Sequence, residues 1–581
     1  MELQLTDYAK KLLNEFYCLP GESIEELYER CADAWSRFLG VQDVELKSRL
    51  LEYFYRQWLV PASPVLSNAP DKAGNVKGLP ISCFLSSNED TVQGLIDHTA
   101  ETRWLTVKGG GVGGYWGNIR SAYSKIGKTG GNPVGVIPHL MGIAADMLAY
   151  KQGNTRKGSY AAYLDISHPD IEEFIEIRKG TGDRFRRNSS INHAVIIPDS
   201  FMRAVIENQR WDLIDPHTKE KVKDLNPRKL LHKLIEIRAE TGEPYILFID
   251  NVNRAIPTEL KDLGYIVKQS NLCIEIMQMT DEKRTAVCCL SSVNLEKFDE
   301  WKDSQMIEDS IRMLDNILEY FIANAGPELV KSVLGAKEER SLGLGTMGFH
   351  SLLQSKMLSF ESSEAKKLNK EVFSLIKAKA VASSQVLGTE RGLPKFNHNG
   401  QRNAHLLAIA PNSNNSLLAN VSPSIEPIQD NYMALDTRAG TQVKKNAHLE
   451  RLLESKEQSS PEVWATILDN SGSVQHLDCL SLNEKNVFKT AFEVDQTVII
   501  ELAADRQKHI CQSQSLNLFY KPTEKKSRIE KDIFTAWKSG VKSLYYQRGL
   551  NKNKVDNMNN KVELVVDKPK DSPYECVGCE S

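Results

Sequence analysis

The sequence contains no uninterrupted apolar run long enough to cross a bilayer. Its start, MELQLTDYAK, has neither the basic region nor the apolar core of a signal peptide. Its 73 basic and 76 acidic residues leave a formal net charge of only -3, which gives no electrostatic reason to expect nucleic acid or a membrane surface as a partner. These absences predict a cytoplasmic protein that binds neither.

Cysteine is too sparse for a disulfide framework, because only ten cysteines occur in 581 residues. A cytosolic setting keeps such thiols reduced, and most are expected to be small buried side chains without chemistry. The exceptions are expected among cysteines whose neighbours also carry reactive groups. The sequence positions of the ten are therefore more informative than their number.

Internal repeats are also absent, and the organisation follows from changes in patterning. Residues 1–60 place apolar side chains at helical spacing and predict a helical N-terminal segment. Residues 61–552 alternate short apolar runs with longer amphipathic stretches, which is typical of an α/β domain with buried strands. Residues 553–581 are polar with little periodicity and predict a flexible tail that ends in a cysteine pair.

The stretch QSNLCIEIMQM combines an apolar run with a carboxamide, a thiol and a carboxylate at alternate positions, Asn271, Cys273 and Glu275. In an extended strand these three side chains share one face, which is either solvated or a site. The spacing alone leaves both metal ligation and nucleophilic thiol catalysis open. No histidine lies nearby to act as the base for a thiolate, which disfavours the second.

The tail carries Cys576 and Cys579 in a C-x-x-C spacing. No second pair is available to complete a zinc site, and no strand and helix flank the motif as in thioredoxin. The pair is therefore either a tethered dithiol that exchanges with another disulfide or two unimportant exposed thiols. A partner disulfide would join Cys83 to either Cys288 or Cys289, of which only one can face a common interior. Each could also be a plain core residue.

Two loops are candidate anion sites. The GGGVGG run at 109–114 allows the backbone to approach a phosphate or ribose, although it matches neither a Rossmann fingerprint nor a P-loop. The PNSNN run at 411–415 precedes an apolar helix start, where backbone N–H groups can bind an anion, and a plain helix cap is an equal alternative. Tyr545 and Tyr546 are adjacent, and two tyrosines in a short strand usually serve in packing. A chemical role for them would have to be oxidation and reduction, because a phenol is a poor acid or base at neutral pH.

Together and in this order, these motifs resemble the large (α) subunit of class I ribonucleotide reductase, from about residue 5 to the C-terminus. The resemblance rests on ASPVLSN, SCFL, GGGVGGYWGNIRS, KQGNTRKGSYAAYLDISHPDIEEF, SNLCIEI, AVCCLSSVNL, RSLGLGTMGFH, APNSNNS with SIEP, QSQSLNLF, LYYQRG and the terminal cysteine pair. It implies a ten-stranded α/β barrel with a finger loop, NLCIE, through its centre and a helical segment before it.

The resemblance also implies a radical mechanism on ribonucleoside diphosphates. Cys273 would become a thiyl radical that abstracts the ribose 3′-hydrogen, Glu275 would take the 3′-hydroxyl proton, and Asn271 would hold the substrate. Cys83 would protonate the leaving 2′-hydroxyl, and Cys288 would supply the second reducing equivalent. The disulfide so formed would be reduced by the tail dithiol, and thioredoxin or glutaredoxin would then reduce the tail.

The remaining roles carried over from the family concern the radical, the substrate and the effectors. Tyr545 and Tyr546 would pass a radical from a separate, metal-containing small subunit, and no metal or cofactor is expected on this chain. The substrate would contact Ser63, Ser82, Gly111, Pro411, Asn412, Ser413, Asn414 and Asn415. Deoxynucleoside triphosphates or ATP would act as specificity effectors at a homodimer interface near Asp90, Arg120, Gln152 and Arg156.

Three departures from the family pattern qualify these expectations. The N-terminal ATP-cone of many relatives is expected to be absent. Asn412, Asn414 and Asn415 replace the usual Ser, Thr and Gly of the phosphate loop, and Cys511 replaces a residue that is usually acidic. The alternatives are a class II, adenosylcobalamin-dependent reductase, a non-catalytic paralogue that only binds nucleotides or a small subunit, and a dinucleotide-dependent oxidoreductase. The dinucleotide-dependent oxidoreductase is disfavoured, because the sequence offers no acidic residue that could bind the ribose in a strand–helix–strand unit.

Overall fold

The computed structural model describes residues 3, 5–71, 73–76, 78–126, 130–152, 156–437 and 440–549. The cysteine pair at 576 and 579 therefore lies outside the described residues. Within these ranges, no helix has the length and apolar character needed to cross a membrane.

The helices of the described residues are α1 Asp7–Phe16, α2 Ile24–Trp35, α3 Val44–Tyr55, α4 Ser63–Ser67, α5 Val92–Lys108, α6 Val136–Ala149, α7 Ile171–Ile175, α8 Asp199–Glu207, α9 Pro227–Thr241, α10 Ile249–Arg254, α11 Thr258–Asp262, α12 Phe298–Trp301, α13 Met306–Asn324, α14 Val330–Glu339, α15 Phe349–Ser355, α16 Ser363–Arg391, α17 Ser413–Leu418, α18 Ala447–Ser455, α19 Pro461–Asp469, α20 Leu482–Val487, α21 Gln496–Gln507 and α22 Lys526–Lys538.

The strands are β1 Arg37–Phe38, β2 Val41–Gln42, β3 Leu59–Pro61, β4 Cys83–Ser87, β5 Gly111–Tyr115, β6 Lys151–Gln152, β7 Arg156–Lys157, β8 Tyr160–Asp165, β9 Asn192–Ile197, β10 Trp211–Ile214, β11 Lys221–Leu225, β12 Tyr245–Phe248, β13 Ala286–Asn294, β14 Leu342–Met347, β15 Tyr432–Thr437, β16 Gly440–Lys445, β17 Leu518–Tyr520, β18 Ser543–Leu544 and β19 Gln547–Gly549.

The N-terminal segment is helical because its cap residues and apolar spacing agree. Ser23 and Glu26 form a reciprocal capping box at the start of α2, as the PGES sequence indicates. The segment is fixed to the barrel by polar contacts as well as packing. Arg49 on α3 makes a two-pronged ion pair with the buried Asp309 on α13 (2.7 and 2.9 Å), and Tyr53 donates to the same carboxylate.

Five parallel strands, β4, β5, β8, β9 and β12, form the first half-barrel in that order. Apart from one partly exposed residue at an end of β4, β5, β8 and β9, their residues are buried, as is usual for strands covered on both faces. At one edge, β13 pairs with β4 in the antiparallel sense. At the other edge, β18 pairs with β12 in the same antiparallel sense.

The second half-barrel consists of β13, β14, the extended segments 405–409 and 512–516, and β18. Strand β14 runs parallel to β13, and isolated parallel bridges join Leu344 to Leu407 and Ile409 to Gln514. A hydrogen bond from the Tyr545 N–H to the Leu516 carbonyl (2.8 Å) completes the ring. The expected ten-stranded α/β barrel is confirmed.

A finger loop, residues 269–280, lies between the two half-barrels and contains no regular helix or strand. A Cβ atom added at Gly113 of β5 would lie 2.0 Å from the Ser270 carbonyl oxygen and 2.8 Å from the Asn271 Cα. The loop backbone therefore lies directly on the barrel wall. Tyr163 of β8 also donates a hydrogen bond to the Asn271 carbonyl.

Candidate active site

The tip of the finger loop is a tight turn rather than the strand predicted from the alternation of polar residues. Ile274 has a φ of +62°, which β-branched residues rarely adopt, and its N–H donates to the Asn271 carbonyl (3.3 Å). The strand prediction was wrong, because residues 272–274 form a turn and not an extended strand. Asn271 and Glu275 are nevertheless adjacent, since the Asn271 Oδ1 accepts from the Glu275 and Ile276 N–H groups (3.0 and 3.1 Å).

The loop meets a pair of cysteines on the barrel wall. Asn271 donates from Nδ2 to the Cys83 Sγ (3.0 Å), and Cys83 on β4 is the direct antiparallel register partner of Cys288 on β13. Directly opposed antiparallel residues have Cα separations of roughly 4.5–5.5 Å, within the range that a disulfide spans. Cys83 and Cys288 share one interior apolar cluster, whereas Cys289 packs in the main core. Cys288 is thus the cysteine that faces the interior.

Burial controls the protonation of these groups. It raises the pKa values of the Cys83 and Cys288 thiols well above their usual range, so both stay protonated at neutral pH. It also raises the pKa of Glu275 to about 7, against the opposing effect of its hydrogen bonds. The arrangement therefore presents two thiols that can donate hydrogen and one carboxyl that can exchange a proton near neutrality.

Two side chains from the segment 512–516 complete the pocket and were not identified from the sequence. Ser515 Oγ lies within donor distance of the Cys273 carbonyl (2.6 Å) and of the Glu275 Oε2 (3.2 Å). Gln512 accepts the Met277 N–H on its Oε1 (3.0 Å) and approaches the Cys288 Sγ with its Nε2 (3.9 Å). The QSQS motif was visible, but no local pattern shows that it crosses the finger loop.

A cluster of three tyrosines lies beside the tip of the loop. The rings of Tyr545 and Tyr546 have centroids 4.4 Å apart, and Tyr245 on β12 lies 4.6 and 5.0 Å from them. Tyr245 was not singled out from the sequence. The half-buried Cys273 packs against the same apolar cluster that contains Tyr545 and Tyr245. The three tyrosines and Cys273 therefore belong to one packed cluster.

Comparison with known proteins agrees with this geometry. The family model described as "Ribonucleotide reductase, barrel domain" matches residues 81–398 and 393–547. The chain belongs to the ribonucleotide reductase family. It is 44% identical to the "Putative ribonucleoside-diphosphate reductase large subunit" of Frog virus 3 (isolate Goorha), with 94% of each chain covered. It is 41% identical to the "Ribonucleoside-diphosphate reductase large subunit" of Invertebrate iridescent virus 3, with 92% of each covered.

A solved ribonucleotide reductase structure has a very similar fold. The "Actinobacillus ureae class Id ribonucleotide reductase alpha subunit" superposes with a TM-score of 0.83 at 33% sequence identity, over 95% of this chain and 98% of that one. The resemblance inferred from the motifs is confirmed at the level of the family and of the class I α-subunit fold.

The glycine-rich run of this reductase forms strand β5, and its glycines accommodate protein as well as any ligand. At Gly111 an added Cβ would lie 2.8 Å from the Leu272 side chain, just as Gly113 is covered by Ser270. That the run lets backbone approach a phosphate or ribose stays a prediction, and Gly113 in addition makes room for the finger loop. Glycine is required there because the finger loop occupies the space of a side chain.

The serines expected at the substrate site differ in their contacts. Ser63, the first residue of α4, is buried and its Oγ is 2.9 Å from the Tyr17 hydroxyl. The Ser82 Oγ is inaccessible and has no hydrogen-bond partner among the described residues. Ser82 directly precedes Cys83, the first residue of β4.

The PNSNN loop, Pro411–Asn415, enters the short helix α17, with Asn412 in a left-handed conformation (φ +57°). The Asn412 side chain accepts from the Ser292 Oγ (2.8 Å) and donates to the Thr346 carbonyl (2.9 Å). Asn415 donates from its side chain to the Pro61 carbonyl (3.3 Å). These asparagine side chains hold the loop to β3, β13 and β14.

The residues expected at the effector site fall in two places. Asp90 and Arg120 form an ion pair (2.8 Å), and His217 Nδ1 approaches the same Asp90 carboxylate (3.1 Å). Gln152 and Arg156 are register partners in the hairpin of β6 and β7, and their side chains lie outside the described part of the structure. His217 comes from a distant hairpin and was not identified from the sequence.

Proposed function

We propose that this chain is the catalytic large subunit of a class I ribonucleoside-diphosphate reductase, which converts ribonucleoside diphosphates to 2′-deoxyribonucleoside diphosphates for DNA precursor synthesis. The observation that carries the proposal is the convergence of Asn271 and Glu275 on the finger loop with the cross-strand pair Cys83 and Cys288. The related viral large subunits bear the same enzyme name.

In the proposed reaction, a radical on Cys273 takes the hydrogen atom from ribose C3′. Glu275 accepts the 3′-hydroxyl proton while the 2′-hydroxyl leaves as water with a proton from Cys83. Cys83 and Cys288 together supply two electrons and two protons and become a disulfide, Glu275 returns its proton to the 3′-oxygen, and Cys273 returns its hydrogen atom to C3′. The net change is one water and one disulfide for each ribonucleotide reduced, so atoms and electrons balance.

The disulfide must be reduced before the next turnover. We assign this step to the tail dithiol, Cys576 and Cys579, which would exchange with the Cys83–Cys288 disulfide and would in turn be reduced by thioredoxin or glutaredoxin. The proposed division is a helical segment 1–60, a barrel domain 61–552 and a tail 553–581.

The proposed substrate and effector sites follow the same family pattern. The substrate diphosphate would bind the backbone of Pro411–Asn415, with Ser63, Ser82 and Gly111 lining the pocket. Effector nucleotides, deoxynucleoside triphosphates or ATP, would bind near Asp90 and Arg120, and the segment of Gln152 and Arg156 would report effector identity to the substrate site.

A homodimer is proposed through the helices next to the effector residues. Val92, Ile96 and Trp104 on α5 and Leu148 on α6 are large apolar side chains that are exposed in the single chain. Monomeric soluble proteins rarely expose such a set on neighbouring helices, and a second copy of this surface would cover it.

Dependence on a small subunit separates the proposal from its alternatives. We expect the purified chain alone to be inactive on ribonucleoside diphosphates and to become active when a cognate radical-bearing small subunit is added, because the tyrosine cluster needs an external oxidant. Deoxynucleotide formation is measured by chromatography. Activity with adenosylcobalamin and no partner would instead show that the chain is a class II reductase. Inactivity under both conditions would favour a non-catalytic paralogue.

The pH dependence of turnover should follow the ionisation of Glu275. Because its pKa is about 7 and the ionised form is the base, kcat should rise about tenfold between pH 6 and pH 8. Ser515→Ala removes a hydrogen bond that favours the carboxylate, so the rising limb should move to higher pH by roughly one unit. Ser513→Ala is the matched control, since the Ser513 hydroxyl bonds to Ser543 instead. Equal midpoints in both variants would contradict the role of Ser515.

A further inference from the structure

The backbone of Tyr546 is bound by a buried asparagine of the second half-barrel. Asn517, which follows the segment 512–516, accepts the Tyr546 N–H on its Oδ1 (3.1 Å). The next residue, Leu518, donates its N–H to the Tyr546 carbonyl (3.1 Å). Both polar backbone groups of Tyr546 are therefore bound to two consecutive residues, and the contact with Asn517 depends on which way its side-chain amide is turned.

The orientation of the Asn517 amide is set by a carboxylate. Glu426, in the SIEP motif, accepts the Asn517 backbone N–H on Oε1 (3.0 Å) and the Asn517 Nδ2 on Oε2 (3.1 Å). Among the described residues, both hydrogen bonds that Glu426 accepts thus come from Asn517. An ionised carboxylate has only acceptor atoms, so the NH2 group of Asn517 must face Glu426 and its oxygen must face the Tyr546 N–H.

Glu426 is buried together with the asparagine that it orients. Burial raises the pKa of its carboxyl, whereas the hydrogen bonds from Asn517 and the nearby guanidinium groups of Arg548 and Arg506 lower it. Removing a carboxylate from water is costly unless hydrogen bonds and opposite charges compensate. That compensation comes here from Asn517 and the two arginines, so the carboxylate and the asparagine form one buried polar unit behind the backbone of Tyr546.

The phenol end of Tyr546 is held in the same manner from the first half-barrel. Asn192 on β9 donates from Nδ2 to the Tyr546 Oη (2.9 Å) and to the Glu243 Oε1 (2.7 Å). Glu243 is completely buried and also accepts the His193 N–H (3.0 Å). A carboxylate–asparagine pair therefore binds each end of Tyr546, and the position of its ring depends on both halves of the barrel.

We propose that Glu426 is a positioning residue for radical transfer, because it fixes the backbone of Tyr546 through Asn517. The proposal rests on the radical-transfer role that the family resemblance implies for Tyr545 and Tyr546. Tyr546–OH gives one hydrogen atom to the radical of the small subunit, and Tyr546–O• then takes one from Tyr545–OH, so each step moves one proton and one electron. Such transfers require defined separations, and a displacement of about 1 Å can lower a rate by roughly a hundredfold.

Glu426→Gln tests these hydrogen bonds in the purified chain. The glutamine oxygen can accept the Asn517 backbone N–H, but the glutamine NH2 then faces the Asn517 NH2, so the Asn517 amide must turn over and point Nδ2 at the Tyr546 N–H. We expect hydrogen–deuterium exchange at the Tyr546 amide, followed by mass spectrometry, to become at least about tenfold faster. The double variant Glu426→Gln with Asn517→Asp moves the charge by one residue and restores every acceptor, so its exchange rate should lie within about threefold of the parent.

Turnover with the cognate small subunit, substrate and effector tests the consequence for the reaction. The kcat of Glu426→Gln should fall by at least about tenfold while the substrate Kd stays within about twofold, and the double variant should regain at least about a third of the parent kcat. Glu361→Gln is the matched control and should leave kcat unchanged. The Glu361 carboxylate likewise accepts one backbone N–H, from Asp495 (2.8 Å), and one side-chain N–H, from Lys489 (2.6 Å).

Unchanged exchange at Tyr546 or unchanged turnover in Glu426→Gln would overturn the proposal, and so would a double variant that recovers the exchange rate without recovering turnover. If Glu426→Gln does not fold, the double variant decides by its turnover, because it retains all of these hydrogen bonds. Tyr546→Phe keeps its backbone contact with Asn517, so normal turnover in that variant removes the radical role of Tyr546 itself. An inactive Tyr546→Phe together with a fully active Glu426→Gln removes only the role of Glu426.

Discussion

Cys273→Ser should reduce deoxynucleotide formation by at least about a thousandfold, which corresponds to a loss of roughly 4 kcal/mol of transition-state stabilisation. A serine O–H bond is too strong to be opened by a tyrosyl radical, so the hydrogen atom at ribose C3′ would not be removed. Because the Cys273 side chain packs beside the tyrosine cluster and its carbonyl is held by Ser515, the substitution leaves the loop contacts in place.

The measurement pairs turnover with binding. Substrate and effector affinities, determined by calorimetry, should change by no more than about twofold, because Asn271, Glu275 and Cys83 retain their hydrogen bonds. Cys479→Ser is the matched control, since Cys479 is a half-buried thiol in the separate apolar cluster between α18 and α20. Turnover of Cys273→Ser within tenfold of the parent would show that another group abstracts the hydrogen.

Gly113→Ala should destabilise the protein by about 3 kcal/mol and remove activity, although the change adds a single methyl group. The new Cβ would overlap the Ser270 carbonyl and the Asn271 Cα, both of which are backbone atoms that cannot rotate away. The finger loop must then leave the barrel wall, which separates Asn271 from Cys83. The free energy of unfolding is measured by denaturant titration, and activity in the same preparation.

Gly131→Ala is the control for the loss of a glycine. An added Cβ at Gly131 has no atom of the described residues within 4 Å, and its φ is not in the left-handed region, so stability should change by less than about 0.5 kcal/mol. If Gly113→Ala were as stable and as active as Gly131→Ala, the close approach of the loop to β5 would not exist in solution.

The barrel could be predicted from the sequence because its ordered motifs resemble a known family, and the structure brings the predicted Asn271 and Cys83 into contact. The spacing of Cys83, Cys288 and Cys289 required one inward-facing partner, and register places Cys288 there. The alternation in the finger loop led to a false strand, since nothing local to Ile274 indicates a positive φ. The backbone of Ser270 and Asn271 in the same loop packs on Gly113, about 160 residues earlier in the chain, and no local pattern shows that contact.

The residues that sequence reasoning missed share one property. Each contacts a residue that lies far away in the chain: Ser515 contacts Cys273, Gln512 contacts Met277, and Tyr245 contacts Tyr546. The glycine-rich run shows what a local pattern can indicate and what it leaves undetermined. Glycine indicates that something approaches closely, but the identity of the approaching group is determined by the tertiary fold.

The position of the two interior thiols makes the stability of the barrel depend on whether they are reduced or joined as a disulfide. Cys83 lies on β4 at the edge of one half-barrel, and Cys288 lies on β13 at the edge of the other. Their disulfide would therefore be a covalent cross-link between two antiparallel strands that are otherwise joined by hydrogen bonds. Joining positions so distant in the chain restricts the unfolded state by about 5 kcal/mol in the chain-entropy picture. Each catalytic cycle would thus raise the free energy of unfolding when the substrate is reduced and the disulfide forms. It would lower that free energy again when the disulfide is reduced.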